Sequence, residues 1–148
     1  MPVRGIDPSN VPERYRRIFQ HNPFANQFDL EVVSAAPGRA VLRFPYKHEY
    51  TQYQGALQGG IVLAYADAAM AVAIAGLIAE GRDFVTTDLN VQYVRPVTSG
   101  PVVARGEIVH QGNALLRGSA EVEIEGVGVA AYCVGTFMIV APRGASAK

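Results

Sequence analysis

The chain is poor in the residues that most often announce chemistry. Its single cysteine, Cys133, excludes an intramolecular disulfide and a thiolate metal cluster. Its three histidines, His21, His48 and His110, lie far apart and offer no pair at metal-ligand spacing. Charge is sparse: 13 Lys and Arg balance 13 Asp and Glu, so the formal net charge is zero. The densest basic cluster, Arg14, Arg16 and Arg17, reads as the solvated side of a short helix. With no larger basic patch, nucleic-acid binding through phosphates is not expected. The N-terminus, Met1 to Pro8, lacks a hydrophobic signal core, which makes a cytoplasmic location the default expectation.

What is present is apolar. Of 148 residues, 49% are hydrophobic, enough for one domain with a real core. The most apolar stretch, Gly59 to Ala79, reads as one long helix, and Asp67 is the only charged residue between Glu49 and Glu80. A carboxylate in a segment built for burial must find a partner or shift its pKa. The Gly59-Gly60 pair precedes it by two helical turns, and a helix start presents unpaired N–H groups that favour negative charge. The stretch has about the length of a membrane span. However, Asp67 would sit near mid-bilayer at a cost of roughly 2.5–3.5 kcal/mol. Eight of its 21 residues are weakly apolar alanines. A helix enclosed by protein is the better reading.

Around it, Val11 to Gln20 reads as a short amphipathic helix and His21 to Gln27 as a connector. Phe28 to Ala35 and Arg39 to Tyr46 read as strands joined by a Pro37-Gly38 turn. After the long helix, Phe84 to Val94 alternates with Val85, Thr87, Leu89, Val91 and Tyr93 on one face. Val102 to His110, Ala114 to Ile124 and Val127 to Val140 complete a sheet. The expected layout is an extension over residues 1–21, a domain over 22–141 and a tail over 142–148. One long apolar helix cannot hide against a small flat sheet, so the fold class expected is α+β, with a curved antiparallel sheet wrapped around the helix.

The run Gln52-Tyr53-Gln54-Gly55-Ala56-Leu57-Gln58-Gly59-Gly60, followed by Asp67, resembles the pattern of hotdog-fold acyl-CoA thioesterases of the phenylacetate-pathway-like branch. That pattern is Asn-x-x-Gly-x-x-His-Gly-Gly, with an acidic residue seven positions after the second Gly. Thr86-Thr87-Asp88-Leu89-Asn90-Val91-Gln92-Tyr93-Val94-Arg95-Pro96 and the Gly112-Asn113 turn fit the same branch, and the similarity spans roughly Asn22 to Val140. The resemblance implies a homo-oligomer, a dimer or a tetramer, with the active site between subunits. Gly59 of one chain would face Asp67 of the other. It implies no bound cofactor or metal, since a carboxylate mechanism needs none, and a small-molecule acyl-CoA as the partner.

The resemblance also implies roles. Asp67 would act as nucleophile or general base toward the thioester; the plainer reading is a structural cap or ion pair. The Gly59 backbone N–H, beside Gly60, would bind the oxyanion; the plainer reading is a flexible loop-to-helix junction. Gln52 stands where the family has Asn and keeps a carboxamide. Gln58 replaces His and can donate a hydrogen bond, but it cannot shuttle a proton near neutral pH. Thr86 aligns with a hydroxyl placed beside the attacking water, though Thr also simply suits strands. Arg95 and Asn113 are candidates for contact with coenzyme A. Tyr53, Tyr65 and Met70 are candidates for lining an acyl pocket, against the plainer reading as core. Acyl-thioester hydration or dehydration on the same fold would require a histidine near the helix, and none lies between residues 49 and 109. A non-catalytic acyl-CoA binder is the remaining alternative.

Overall fold

In the computed structural model the described residues are Tyr15 and residues 22–142. The helix expected over Val11 to Gln20, Tyr15 apart, and the tail from residue 143 lie outside them.

The long helix forms as expected but stops four residues early, as α2, Gly59–Ala75. It ends at Gly76, where any side chain would run into Tyr15 and the Pro37 backbone. The stretch expected to be a connector holds a one-turn helix, α1, Pro23–Gln27. Asn22 caps it by accepting a hydrogen bond from the Ala25 N–H at 3.2 Å, and Pro23 supplies a preset φ in the first turn. Six strands follow the expected order with ends moved by up to three residues: β1 Glu31–Ala36, β2 Arg39–Phe44, β3 Asp83–Tyr93, β4 Val102–Gln111, β5 Leu115–Ile124 and β6 Gly128–Val140. His48 lies in a 3₁₀ turn, His48–Tyr50.

All neighbouring strands pair antiparallel in one sheet, in the order β1-β2-β4-β5-β6-β3. This is the hotdog architecture: the sheet wraps α2, which packs chiefly on β4, β2 and β5. Small residues on both elements make the close wrapping possible. Alanines cover α2, while Gly106, Gly118 and Gly135 lie beneath it on β4, β5 and β6. Side chains at those three positions would strike Ala69, Met70 or Leu89. Leu42, Phe44, Tyr65, Met70, Leu116, Val122 and Phe137 fill the core. Full burial of a Leu, Phe or Met side chain contributes about 1.5–3 kcal/mol. The aromatic set Phe24, Phe28, Phe44, Tyr50 and Tyr65 ties α1 to α2, with Phe44 and Tyr65 stacked at 3.7 Å.

The sheet departs from regular alternation in β3. Thr86 pairs with Phe137 and Asp88 with Thr136, so Thr87 is an extra residue forming a bulge. One inserted residue flips the facing of everything beyond it. Phe84 and Thr86 face the helix before the bulge, and Leu89, Val91 and Tyr93 after it. The expected single face of Val85, Thr87, Leu89, Val91 and Tyr93 is therefore wrong in its first half. Val85 is exposed, and the Thr87 hydroxyl donates to the Thr136 carbonyl oxygen at 3.0 Å.

Candidate active site

Asp67 projects from the middle of α2 toward β3. The Thr86 hydroxyl donates to its Oδ1 at 3.0 Å, and the β3 bulge is what turns Thr86 to this side. Among the described residues Asp67 has no cationic partner. Burial pushes its carboxyl above the ordinary aspartate range, and the Thr86 hydroxyl pulls it partly back. Cys133 lies within electrostatic reach of the pair: burial, with the Asp67 charge adding to it, pushes its thiol up to about 11. It is a buried, protonated and unreactive group.

A pocket of about 250 Å³ opens beside the carboxylate. Ala64, Ala68, Ala71 and Val72 of α2 form one wall, and Phe24 and Leu30 from the α1 region form the other. Only Asn22 and Asp67 give it polar groups, so it is an apolar slot with a carboxylate at its edge. Sequence reasoning missed this lining. Alanines on an apolar helix look like core, and the stretch that forms α1 reads as a connector.

The helix start is a separate feature. The Ile61 and Val62 N–H groups both donate to the Gln58 carbonyl oxygen. Gly59 and Gly60 are the residues ahead of that first bonded turn, and their N–H groups have no partner among the described residues. At 1.5 Å per residue, eight positions separate Gly59 from Asp67 by about 12 Å along the axis. Within one chain, a single carbonyl group cannot touch both.

The other expected residues divide. Gln58 is exposed and its side chain makes no cap hydrogen bond. The Gln52 carboxamide is spent inside its own loop, donating to Gln54 Oε1 at 3.2 Å and accepting from the Gln54 N–H. Tyr53 stands 95% exposed at the loop tip. Tyr65 and Met70 are 0% exposed and belong to the core, not to the pocket wall. Arg95 donates to the Val127 carbonyl oxygen at 3.0 Å, holding the β5–β6 turn. Asn113 is exposed in the β4–β5 turn. Among the described residues no three of His, Cys, Asp and Glu converge as a metal-ligand set would. No helix among them is long and apolar enough to cross a membrane.

Comparison with known proteins bears on this arrangement. The family model of the thioesterase superfamily matches residues 54–131, which include the helix start, Asp67 and Thr86. The chain belongs to that superfamily. Its fold superposes with a TM-score of 0.81 on a thioesterase family protein from Silicibacter pomeroyi, at 26% identity over 88% of this chain and 98% of that one. The phenylacetic acid degradation protein PaaI of Thermus thermophilus, solved as a point mutant, matches at a TM-score of 0.72 and 30% identity over 79% and 98%. Human acyl-coenzyme A thioesterase 13 is 31% identical over 88 residues, covering 58% of this chain and 61% of that one. Superfamily membership supports a hydrolase acting on thioesters in general terms.

Proposed function

We propose that this thioesterase-superfamily chain hydrolyses acyl-CoA thioesters at a site shared between two copies, with Asp67 as the reacting carboxylate. The observation that carries the reading is Asp67 itself. It is a half-buried carboxylate bound by one hydroxyl, without a counter-cation among the described residues, at the edge of an apolar slot. A structural carboxylate in such a place would be expected to hold a cap or an ion pair. Thr86 occupies Oδ1 and leaves Oδ2 for water or for the thioester carbon.

In the general-base form, Asp67 takes a proton from water as the oxygen attacks the carbonyl carbon. The N–H groups at the Gly59-Gly60 helix start of the second copy hold the oxyanion. Collapse of that intermediate breaks the C–S bond and releases the coenzyme A thiolate. In the nucleophilic form, Oδ2 attacks the carbonyl carbon and expels the coenzyme A thiolate, and water then cleaves the resulting anhydride to the free acid and regenerates the Asp67 carboxylate. The ~12 Å between Gly59 and Asp67 on one helix supports the two-copy arrangement. The β3 edge, bonded only to β6 among the described strands, is available for pairing with another copy. Exposed Gln58 would donate to the substrate. Gln52 would need to leave Gln54 before doing the same. Arg95 and Asn113 keep only a peripheral part in binding coenzyme A.

The part of the slot that one copy supplies gives a scale for the acyl group. An apolar cavity of about 150 Å³ accommodates benzene, about 25 Å³ per carbon, so this slot fits roughly ten non-hydrogen atoms. The test is thiol release from short, medium, long and aromatic acyl-CoAs by wild type and by Asp67→Asn. Turnover of compact acyl groups, lost in Asp67→Asn, is the expected result. Inactivity of wild type across the panel would favour a non-catalytic acyl-CoA binder, with Gln58 in place of His as the reason chemistry was lost.

A further inference from the structure

The helix start raises a mechanical question. An oxyanion donor works only if it is aimed before the charge develops, within about 0.5 Å of its target. Two consecutive glycines are the least constrained backbone available, and they carry no side chain by which packing could hold them. The first turn of α2 bonds their carbonyl groups to N–H groups four residues on, and a contact from outside the helix would stiffen them further.

Tyr93, at the end of β3, is in contact with Gly59. Its hydroxyl donates to the Gly59 carbonyl oxygen at 2.6 Å. Its ring lies against the Gly59 Cα: an added Cβ there would come within 3.1 Å of the Tyr93 hydroxyl oxygen and 3.3 Å of the ring carbon bearing it. At Gly60 an added Cβ would meet nothing within 4 Å. The crowding is confined to the one glycine that Tyr93 grips. The Gly59 carbonyl and the Gly60 N–H belong to the same planar peptide and point in opposite directions. Pinning the carbonyl therefore aims the N–H. Burial raises the Tyr93 phenol above its ordinary range, so it stays protonated and able to donate at neutral pH. Tyr93 faces this way only because the Thr87 bulge has flipped the second half of β3. The same irregularity thus orients Thr86 onto Asp67 and Tyr93 onto the helix start.

We propose that Tyr93 is a positioning residue that clamps the Gly59-Gly60 peptide, so that the Gly60 N–H, next to that of Gly59 at the helix start, is aimed at the oxyanion before substrate arrives. The proposal rests on the thioesterase reading of the same site. It gives β3 a double task, tuning the carboxylate in one site and the donors that serve the neighbouring one.

The test is Tyr93→Phe in the full chain, which keeps the ring and deletes the hydroxyl. Two readouts are needed: steady-state kinetics on whichever acyl-CoA of the panel wild type hydrolyses best, and ¹⁵N order parameters of the Gly59 and Gly60 amides. We expect kcat to fall by about tenfold, less than the ~10²–10³ for removing a donor outright. KM should be unchanged, the mark of an interaction made in the transition state. The order parameters of the two glycines should fall while those of Val62 to Ala75 stay at rigid-helix values. Unchanged kcat overturns the proposal, and so does a loss of kcat with unchanged order parameters. If wild type hydrolyses nothing in the panel, the thioesterase reading fails separately. The order parameters alone then decide whether Tyr93 clamps the helix start.

Discussion

Gly106 offers the most direct test of how α2 is seated. A Cβ built at this position on β4 would stand 2.5 Å from the Ala69 carbonyl carbon and oxygen and 2.7 Å from the Met70 nitrogen. These are backbone atoms in the middle of a helix, so no rotamer change can relieve the contact; α2 must lift or β4 must bend. Overpacking a filled core costs about 1–3 kcal/mol, and three rigid backbone contacts place Gly106→Ala near the upper end, about 3 kcal/mol. At about 3 °C per kcal/mol for a chain of this size, Tm should fall by about 9 °C. Gly60→Ala is the matched control. Its new methyl meets nothing within 4 Å, in the first turn of the same helix. Replacing a helical glycine there should be neutral or stabilising by up to about 1 kcal/mol. Urea unfolding followed by circular dichroism measures both, with an unchanged m-value as the check on two-state behaviour. A Gly106→Ala protein within about 0.5 kcal/mol of wild type would refute the close seating of α2 on β4.

Asp67→Asn should raise Tm at neutral pH as it abolishes activity. Burial raises the folded-state pKa of Asp67, so the folded protein binds this proton more tightly than the unfolded chain. Ionised Asp67 therefore costs stability above its folded pKa, and the cost disappears as pH falls below the ordinary aspartate range. The gain from Asp67→Asn should shrink over that interval, and a loss of stability at pH 7 would contradict the burial argument. Thr86→Val removes the one donor to the carboxylate and keeps the shape. The acid limb of the kcat/KM profile should move to higher pH, and an unmoved limb would detach Thr86 from Asp67. Ala71→Leu places three more carbons in the slot beside Asp67. It should reduce kcat/KM by about tenfold or more for the largest acyl group accepted and leave the smallest nearly unaffected. Uniform loss across chain lengths would show that the acyl group lies elsewhere.

The elements that local chemistry governs were legible beforehand. The Pro37-Gly38 turn, with Gly38 at φ 83, makes the β1–β2 hairpin, and a long alanine-rich apolar run makes the one helix that the sheet must wrap. The α1 turn was legible in principle, because Asn22 followed by Pro23 is a cap followed by a preset first residue. Tyr65 and Met70 illustrate the limit of residue type as a guide. Each suits a pocket lining by chemistry, and each is 0% exposed because α2 turns that side toward the sheet.

One carboxylate deep in an apolar helix behind a pair of glycines, and a single curved sheet obliged to enclose that helix, are written in the order of the residues. Spacing along a helix and alternation along strands are local properties that a linear reading can follow. Which groups meet at the site is a matter of tertiary packing. The Thr87 bulge is set by how β3 pairs with the distant β6, and it brings Thr86 to Asp67 and Tyr93 to Gly59. Whether Gln52 is free or bound within its own loop, and whether three alanines are core or pocket wall, likewise depends on what packs opposite them. Such contacts form between residues distant in the chain, so no short window of the sequence holds both partners.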